Sequence, residues 1–144
     1  MLYKIIIIII LPFVINSCDP CFGERGVCAD TFNFRIVDKA SGVDLVFGQI
    51  PVYHKDSVYL LTTLPGYQGA MSFNDNHKFS SRLLIPVDTF YLHVSSADMD
   101  TLLMNYDFVK SNCCKTAEGY GKVVGIKYNG MNADKQGDTF IFKK

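Results

Sequence analysis

The chain has 144 residues, 14 Lys and Arg balanced by 14 Asp and Glu, five cysteines and no tryptophan. That length fits one domain and excludes a large multidomain enzyme. The neutral charge argues against a nucleic-acid-binding protein, which usually carries a basic surplus. A hydrophobic content of 49% is too high for a disordered chain.

The chain opens with an apolar run that predicts an export signal. Lys4 precedes six consecutive isoleucines, and the apolar stretch covers 11 residues from Ile5 to Ile15. A short basic region followed by such a stretch is typical of a secretory signal peptide, whereas a membrane-spanning helix needs about 20 apolar residues. The alternative is a buried strand at the N-terminus, although the run has no amphipathic period.

The apolar run ends in Ile15-Asn16-Ser17-Cys18, which resembles the lipobox of bacterial lipoprotein precursors. In that family a branched apolar residue stands three positions before an invariant cysteine, and a small residue directly precedes the cysteine. Asn16 is a less usual choice at its position. The resemblance implies that Cys18 receives a diacylglycerol thioether and becomes an acylated N-terminus after cleavage. An ordinary secreted protein cut nearby is the alternative.

The lipobox interpretation divides the chain into a cleavable signal peptide at 1–17, a lipidated N-terminus with a tether at 18–30, and one domain at 31–144. Each buried methylene of an acyl chain contributes about 0.8 kcal/mol, so several chains hold a protein on a bilayer. We therefore expect a lipid-anchored protein on the periplasmic side or the surface of a bacterial envelope, with the outer membrane favoured.

Four cysteines remain after Cys18, namely Cys21, Cys28, Cys113 and Cys114. An even number in an exported protein suggests disulfides. A bond between the two adjacent cysteines would require a strained ring, so the favoured pairings join Cys21 and Cys28 to Cys113 and Cys114, in either order. Two alternatives are a zinc site built from these four residues and a redox C-x-x-C formed by Cys18 and Cys21.

The domain alternates apolar and polar residues with the period of a strand. Phe32, Phe34 and Ile36 share one face of the first such segment. The predicted extended segments are 31–37, 45–47 as a short piece, 58–63, 70–73 as a weak strand, 82–85, 89–95, 102–108, 123–128 and 139–143. Asn129-Gly130 is a hairpin-turn dipeptide, although 131–137 is too polar to begin a strand at once.

The stretch 98–109 is ambiguous between helix and strand. Met99, Leu102, Leu103 and Tyr106 fall at helical spacing, whereas period two places Leu102, Met104, Tyr106 and Phe108 on one face. Because the neighbouring segments are strands, the strand is favoured. Residues 97–100 then form the turn of a hairpin with 89–95.

In total, seven or eight short strands separated by turns predict an all-β fold, an antiparallel β-sandwich. The segments Phe34–Gly42 and Asp44–Gly48 resemble small lipoproteins of the Bacteroidota, which are similar to transthyretin-like or immunoglobulin-like sandwich domains. The resemblance covers the leader and about the first third of the domain. It brings no catalytic residues, and it implies an accessory role in envelope assemblies.

The candidate catalytic and metal-binding residues are three histidines and one pair of aspartates. His54, His77 and His93 lie in no catalytic motif. His93 sits beside Tyr91 on the predicted outer face of a strand, where the pair forms a candidate ligand surface or simply a solvated part of the sheet. Asp98 and Asp100 form a D-x-D pair, whose ordinary interpretation is turn chemistry and whose functional one is a calcium ligand set.

The sequence therefore predicts a lipid-anchored envelope protein with a binding or structural accessory role and no catalytic activity or cofactor. The expected partners are the membrane, through the lipid, and an envelope protein or glycan, but no nucleic acid. The alternative is a metal-dependent module that binds calcium or zinc, or a small envelope enzyme.

Overall fold

The computed structural model describes residues 30–62, 68–74, 77–83, 87–110 and 120–144. The predicted signal peptide, the predicted tether up to residue 29 and all five cysteines lie outside these ranges. A short 3-10 turn spans Lys55–Ser57. The strands of the described residues are β1 Asp30–Val37, β2 Tyr59–Thr62, β3 Gln68–Asn74, β4 Lys78–Leu83, β5 Thr89–Ser95, β6 Asp98–Val109, β7 Tyr120–Tyr128, β8 Met131–Asn132, β9 Asp134–Gln136 and β10 Thr139–Lys143.

These strands build an all-β sandwich of two five-stranded sheets, as the sequence predicted. The front sheet has the order β8-β7-β6-β5-β2, and the back sheet has the order β3-β4-β1-β10-β9. Strand β3 links the two, because its first residues pair with β2 and the rest pair with β4. The pairing is mixed, since β1 and β10 run parallel while the other paired strands are antiparallel.

The core lies between the sheets and is dominated by aromatic rings. Phe79, Phe34 and Phe142 stack side by side across β4, β1 and β10 with ring centroids 5.1 Å apart at each step. Tyr128 of the front sheet continues the series, 5.0 Å from Phe142 and nearly parallel to it at 7°. We call these four residues the aromatic column. Because it crosses from one sheet to the other, it fixes how the sheets face each other.

The stretch 98–109 is a strand, β6, which confirms the period-two interpretation. Its inward residues include Leu102 and Met104, both buried. The predicted hairpin turn at 97–100 is wrong in its position, because β5 ends at Ser95 and β6 begins at Asp98. Residues 98–100 are therefore extended and belong to β6. The side chain of Asp100 is buried and accepts hydrogen bonds from Tyr128 and Asn129.

The segment 45–47 is a turn, so its prediction as an extended piece is wrong. Asp44 is buried, and its Oδ1 accepts hydrogen bonds from the backbone N–H groups of Val46 and Phe47 at 2.8 and 2.7 Å. Its Oδ2 accepts a hydrogen bond from Nε of Arg35 at 2.8 Å. An aspartate that binds backbone groups two and three residues ahead favours a turn over a strand.

The Asn129-Gly130 turn joins β7 directly to β8. Both residues have positive φ, 48° and 83°, as this type of hairpin turn requires. Met131 pairs with Tyr128 immediately after the turn, so the expectation that 131–137 is too polar to begin a strand at once is wrong. Both residues of β8 are exposed, so burial of their side chains does not set the pairing. The turn determines it instead.

Within the described ranges, no helix is both long enough and apolar enough to cross a membrane.

Gly48 has a steric requirement that a substitution tests. A Cβ added there would lie 2.3 Å from the backbone oxygen of Asp44, so we expect Gly48→Ala to lower the free energy of unfolding by about 1 to 3 kcal/mol through overpacking. Gly125→Ala is the matched control, because its added Cβ would meet the nearest atom, Cβ of Asn105, at 3.7 Å. Urea denaturation measures both variants, and equal losses would contradict the assignment.

Candidate functional site

The outer side of the front sheet carries an exposed aromatic and apolar surface. The strand register places Tyr59 of β2, His93 of β5 and Met99 of β6 in one row across three adjacent strands. The next row contains Tyr91 with Leu61 on one side, and Leu103 lies farther along β6. We call Tyr59, Tyr91, His93, Met99 and Leu103 the aromatic face.

Exposure separates the aromatic face from the core beneath it. Tyr59 is 41% exposed, Met99 57% and Leu103 42%, whereas the inward residues of β5, Phe90 and Leu92, are fully buried. Tyr91 and His93 are half-buried between their neighbours. The contrast follows from the alternation of side chains along each strand.

The rings of Tyr59 and His93 stack across the two strands. Their centroids are 4.6 Å apart and the rings are within 10° of parallel. Cross-strand aromatic pairs contribute about 0.5 to 1.5 kcal/mol. The stack therefore holds two ring systems in fixed positions on the outer side of the sheet.

The structure places the predicted residues Tyr91 and His93 on this outer side, on one strand and two positions apart. Sequence reasoning missed Tyr59, Met99 and Leu103. The alternation of 89–95 indicated which of its residues face outward, whereas 58–63 was predicted only as a strand. The pairing of Tyr59 with His93, however, depends on the order of strands in the sheet.

A cluster of polar side chains, separate from the aromatic face, lies at the end of the sandwich where β6 begins and β10 ends. The ammonium of Lys144 lies 2.8 Å from Oδ1 of Asp98 and 2.5 Å from Oδ2 of Asp100. The side chain of Lys144 is 17% exposed and that of Asp100 is 7% exposed. Lys144 and Asp100 therefore interact largely out of water, whereas the side chain of Asp98 is 33% exposed.

Three further side chains complete this cluster. Tyr128 and Asn129 donate hydrogen bonds to the two oxygens of Asp100, each at 2.7 Å. Tyr53 donates a hydrogen bond to Oδ2 of Asp98 at 3.0 Å. We call the six residues the end cluster, with the members Tyr53, Asp98, Asp100, Tyr128, Asn129 and Lys144.

The pKa values in the end cluster follow from burial and from these contacts. Burial by itself raises the pKa of Asp100, but hydrogen bonds from Lys144, Asn129 and Tyr128 outweigh it and hold the pKa below its usual value. Burial likewise lowers the pKa of Lys144, and the two aspartates more than reverse this. Burial and Asp100 both raise the pKa of Tyr128, whose phenol stays protonated. The resting state is thus a carboxylate beside an ammonium ion.

The predicted pair Asp98 and Asp100 is adjacent in space, but its partner is the ammonium of Lys144. Among the described residues, no group of three or more His, Cys, Asp or Glu side chains is arranged to hold a metal ion.

The three histidines lie apart and have separate local contacts. His54 caps the 3-10 turn, where its Nδ1 accepts a hydrogen bond from the backbone N–H of Asp56. His77 stacks on Phe47 with ring centroids 5.9 Å apart. His93 belongs to the aromatic face.

The lipidation candidate Cys18 and the disulfide candidates Cys21, Cys28, Cys113 and Cys114 lie outside the described residues, so their roles stay predictions. Asp30, two positions after Cys28, contacts β7, the strand that follows Cys113 and Cys114 in the chain. The backbone N–H of Val123 donates a hydrogen bond to Oδ2 of Asp30 at 2.7 Å.

No family model matches the chain, and no curated protein or solved structure is similar enough to count as a match.

Because Asp100 contacts three members of the end cluster, its substitution should destabilise the fold. Asp100→Ala leaves Lys144 without one of its two carboxylates and Tyr128 without its acceptor, so we expect the free energy of unfolding to fall by about 3 to 5 kcal/mol. The control is Asp107→Ala, an exposed carboxylate on the same strand, for which a change below about 0.5 kcal/mol is expected. Urea denaturation at neutral pH distinguishes the two, and similar values for both would refute a structural role for the cluster.

Proposed function

We propose that this chain is a lipid-anchored protein of a bacterial envelope that binds an envelope protein through the aromatic face. The observation that carries the binding role is the exposed row of Tyr59, His93 and Met99 on the outer side of the front sheet. The anchor rests on the lipobox resemblance at Cys18. The two parts are independent and are tested separately.

The composition of the aromatic face supports a protein partner. Protein interfaces are enriched in tyrosine and methionine and are depleted of charge at their centre. The row formed by Tyr59, His93 and Met99 contains no carboxylate or lysine. Two of its rings are already stacked, so less side-chain entropy is lost when a partner covers them. A small ligand usually binds in a concave pocket, whereas the row of Tyr59, His93 and Met99 lies on the outer side of a sheet, which suits a folded partner better.

The remaining candidate groups favour binding over catalysis. Nucleophilic catalysis needs a nucleophile, a base and an orienting group within reach of one another. The histidines of the described residues have separate contacts, and the Asp98–Asp100 pair is held by an ammonium ion. The anchor would hold the aromatic face close to the membrane, where an envelope partner is concentrated.

The lipid anchor is tested by metabolic labelling. We expect the wild-type chain to incorporate labelled palmitate and Cys18→Ser to lose it, because the thioether needs this sulfur. Cys21→Ser is the matched control, since it removes a nearby cysteine outside the lipobox, and it should keep the label. Continued labelling of Cys18→Ser would refute the anchor assignment.

The aromatic face is tested by a photo-cross-linking residue placed at Met99 in the intact lipoprotein on its native membranes. We expect one discrete cross-linked protein, and Tyr59→Ala should reduce its yield about tenfold or more if Tyr59 is a central contact. The matched control is the same residue at Ile50, an apolar side chain that is 86% exposed in a loop. Equal patterns from both positions would refute the proposal, and cross-links to carbohydrate alone would replace the protein partner with a glycan.

A further inference from the structure

We propose that Lys144 and Asp100 join through a covalent amide bond between their side chains, formed without any other enzyme. The inference rests on the end cluster alone and is independent of the lipid anchor and of the aromatic face. It assigns a modification site that would link β6 of the front sheet to the residue that follows β10 of the back sheet.

The first requirement is an amine held against a carboxyl group in a site with little water. Nζ of Lys144 lies 2.5 Å from Oδ2 of Asp100, and both side chains are largely buried. Condensation of an amine with a carboxylate is unfavourable in water. Groups held in contact within a folded protein react as if at a very high concentration, and the released water leaves to bulk solvent.

The second requirement is a group that moves protons. Asp98 is that group, because its Oδ1 accepts a hydrogen bond from the same Nζ at 2.8 Å. Asp98 lies two positions before Asp100 on the same strand and on the same side of it, so it lies next to both reacting groups. A second carboxylate placed in this way can take a proton from the ammonium and return it during the same reaction.

The third requirement is stabilisation of the charge that develops on the carboxyl group. Nδ2 of Asn129 donates a hydrogen bond to Oδ1 of Asp100 at 2.7 Å, so it would stabilise the oxyanion formed on attack. The hydroxyl of Tyr128 donates a hydrogen bond to Oδ2 at 2.7 Å. Nζ of Lys144 also donates to Oδ2, so Oδ2 is the oxygen that receives the protons and leaves, and Oδ1 is the oxygen that remains in the amide.

The reaction balances without an oxidant or any co-reactant. Nζ gives up one proton, which Asp98 passes to Oδ2 of Asp100, and the neutral amine then attacks Cγ of the neutral carboxyl group, which forms the N–C bond. The Cγ–Oδ2 bond then breaks. Oδ2 leaves as water with two protons that both come from Nζ, one of them through Asp98, which ends the reaction unchanged. Because the resting state is an ion pair, the proton transfer comes first and the reaction is slow.

The test is the intact mass of the purified, reduced full chain, followed over days at neutral pH. We expect a mass lower by one water molecule, and a branched peptide joining the β6 and β10 segments after chymotryptic digestion. Lys144→Arg is the matched control, because it keeps the positive charge but cannot form this bond, and it should show no loss. Asp98→Asn should slow the loss severalfold.

Two results would overturn the proposal. One is a wild-type mass that retains the water after prolonged incubation. The other is an equal loss from Lys144→Arg, which would place the dehydration elsewhere in the chain. Circular dichroism of Lys144→Arg verifies that it folds. If the bond forms, the wild-type chain should also have a higher Tm than Lys144→Arg.

Discussion

The aromatic column is the contact on which the rest of the structure depends. Phe79, Phe34 and Phe142 align three strands of the back sheet, and Tyr128 brings the front sheet into the same stack. The hydroxyl of Tyr128 then extends from this apolar stack to Asp100. One residue thus connects the packing between the sheets to the end cluster, and a shift of the stack would also move the charged groups.

The two surfaces of the front sheet have opposite characters because of the pleat. Inward residues of β5 and β6 build the core, and their outward neighbours build the aromatic face. The inward row of β6 also changes along its length, from the apolar Met104 and Leu102 to the charged Asp100 and Asp98. This change is compatible with burial only because Lys144 of the opposite layer supplies the counter-charge.

The sequence was sufficient for the fold class, because period-two alternation such as that of Phe90, Leu92 and Val94 is a local signal. The prediction was wrong at 45–47, where the carboxylate of Asp44 accepts hydrogen bonds from the backbone and forms a turn. It also failed where a turn alone sets pairing, as at Met131. The partners of Asp98 and Asp100 were out of its reach, because Lys144 is 44 positions away from Asp100 and only the strand order joins them. The same holds for Tyr59 and His93.

The parallel pairing of β1 with β10 constrains how the chain reaches its native state. Asn33 pairs with Thr139, and the side chain of Asn33 donates a hydrogen bond to Asp138, 105 positions later. During synthesis β1 can pair with β4 early, but its other neighbour, β10, is absent until nearly the whole domain has been made. Non-local pairing of this kind slows folding, and until it is complete the unpaired strand edges are prone to aggregation. For the export proposed above, this delay would be an advantage, because an early compact state would block passage across a membrane.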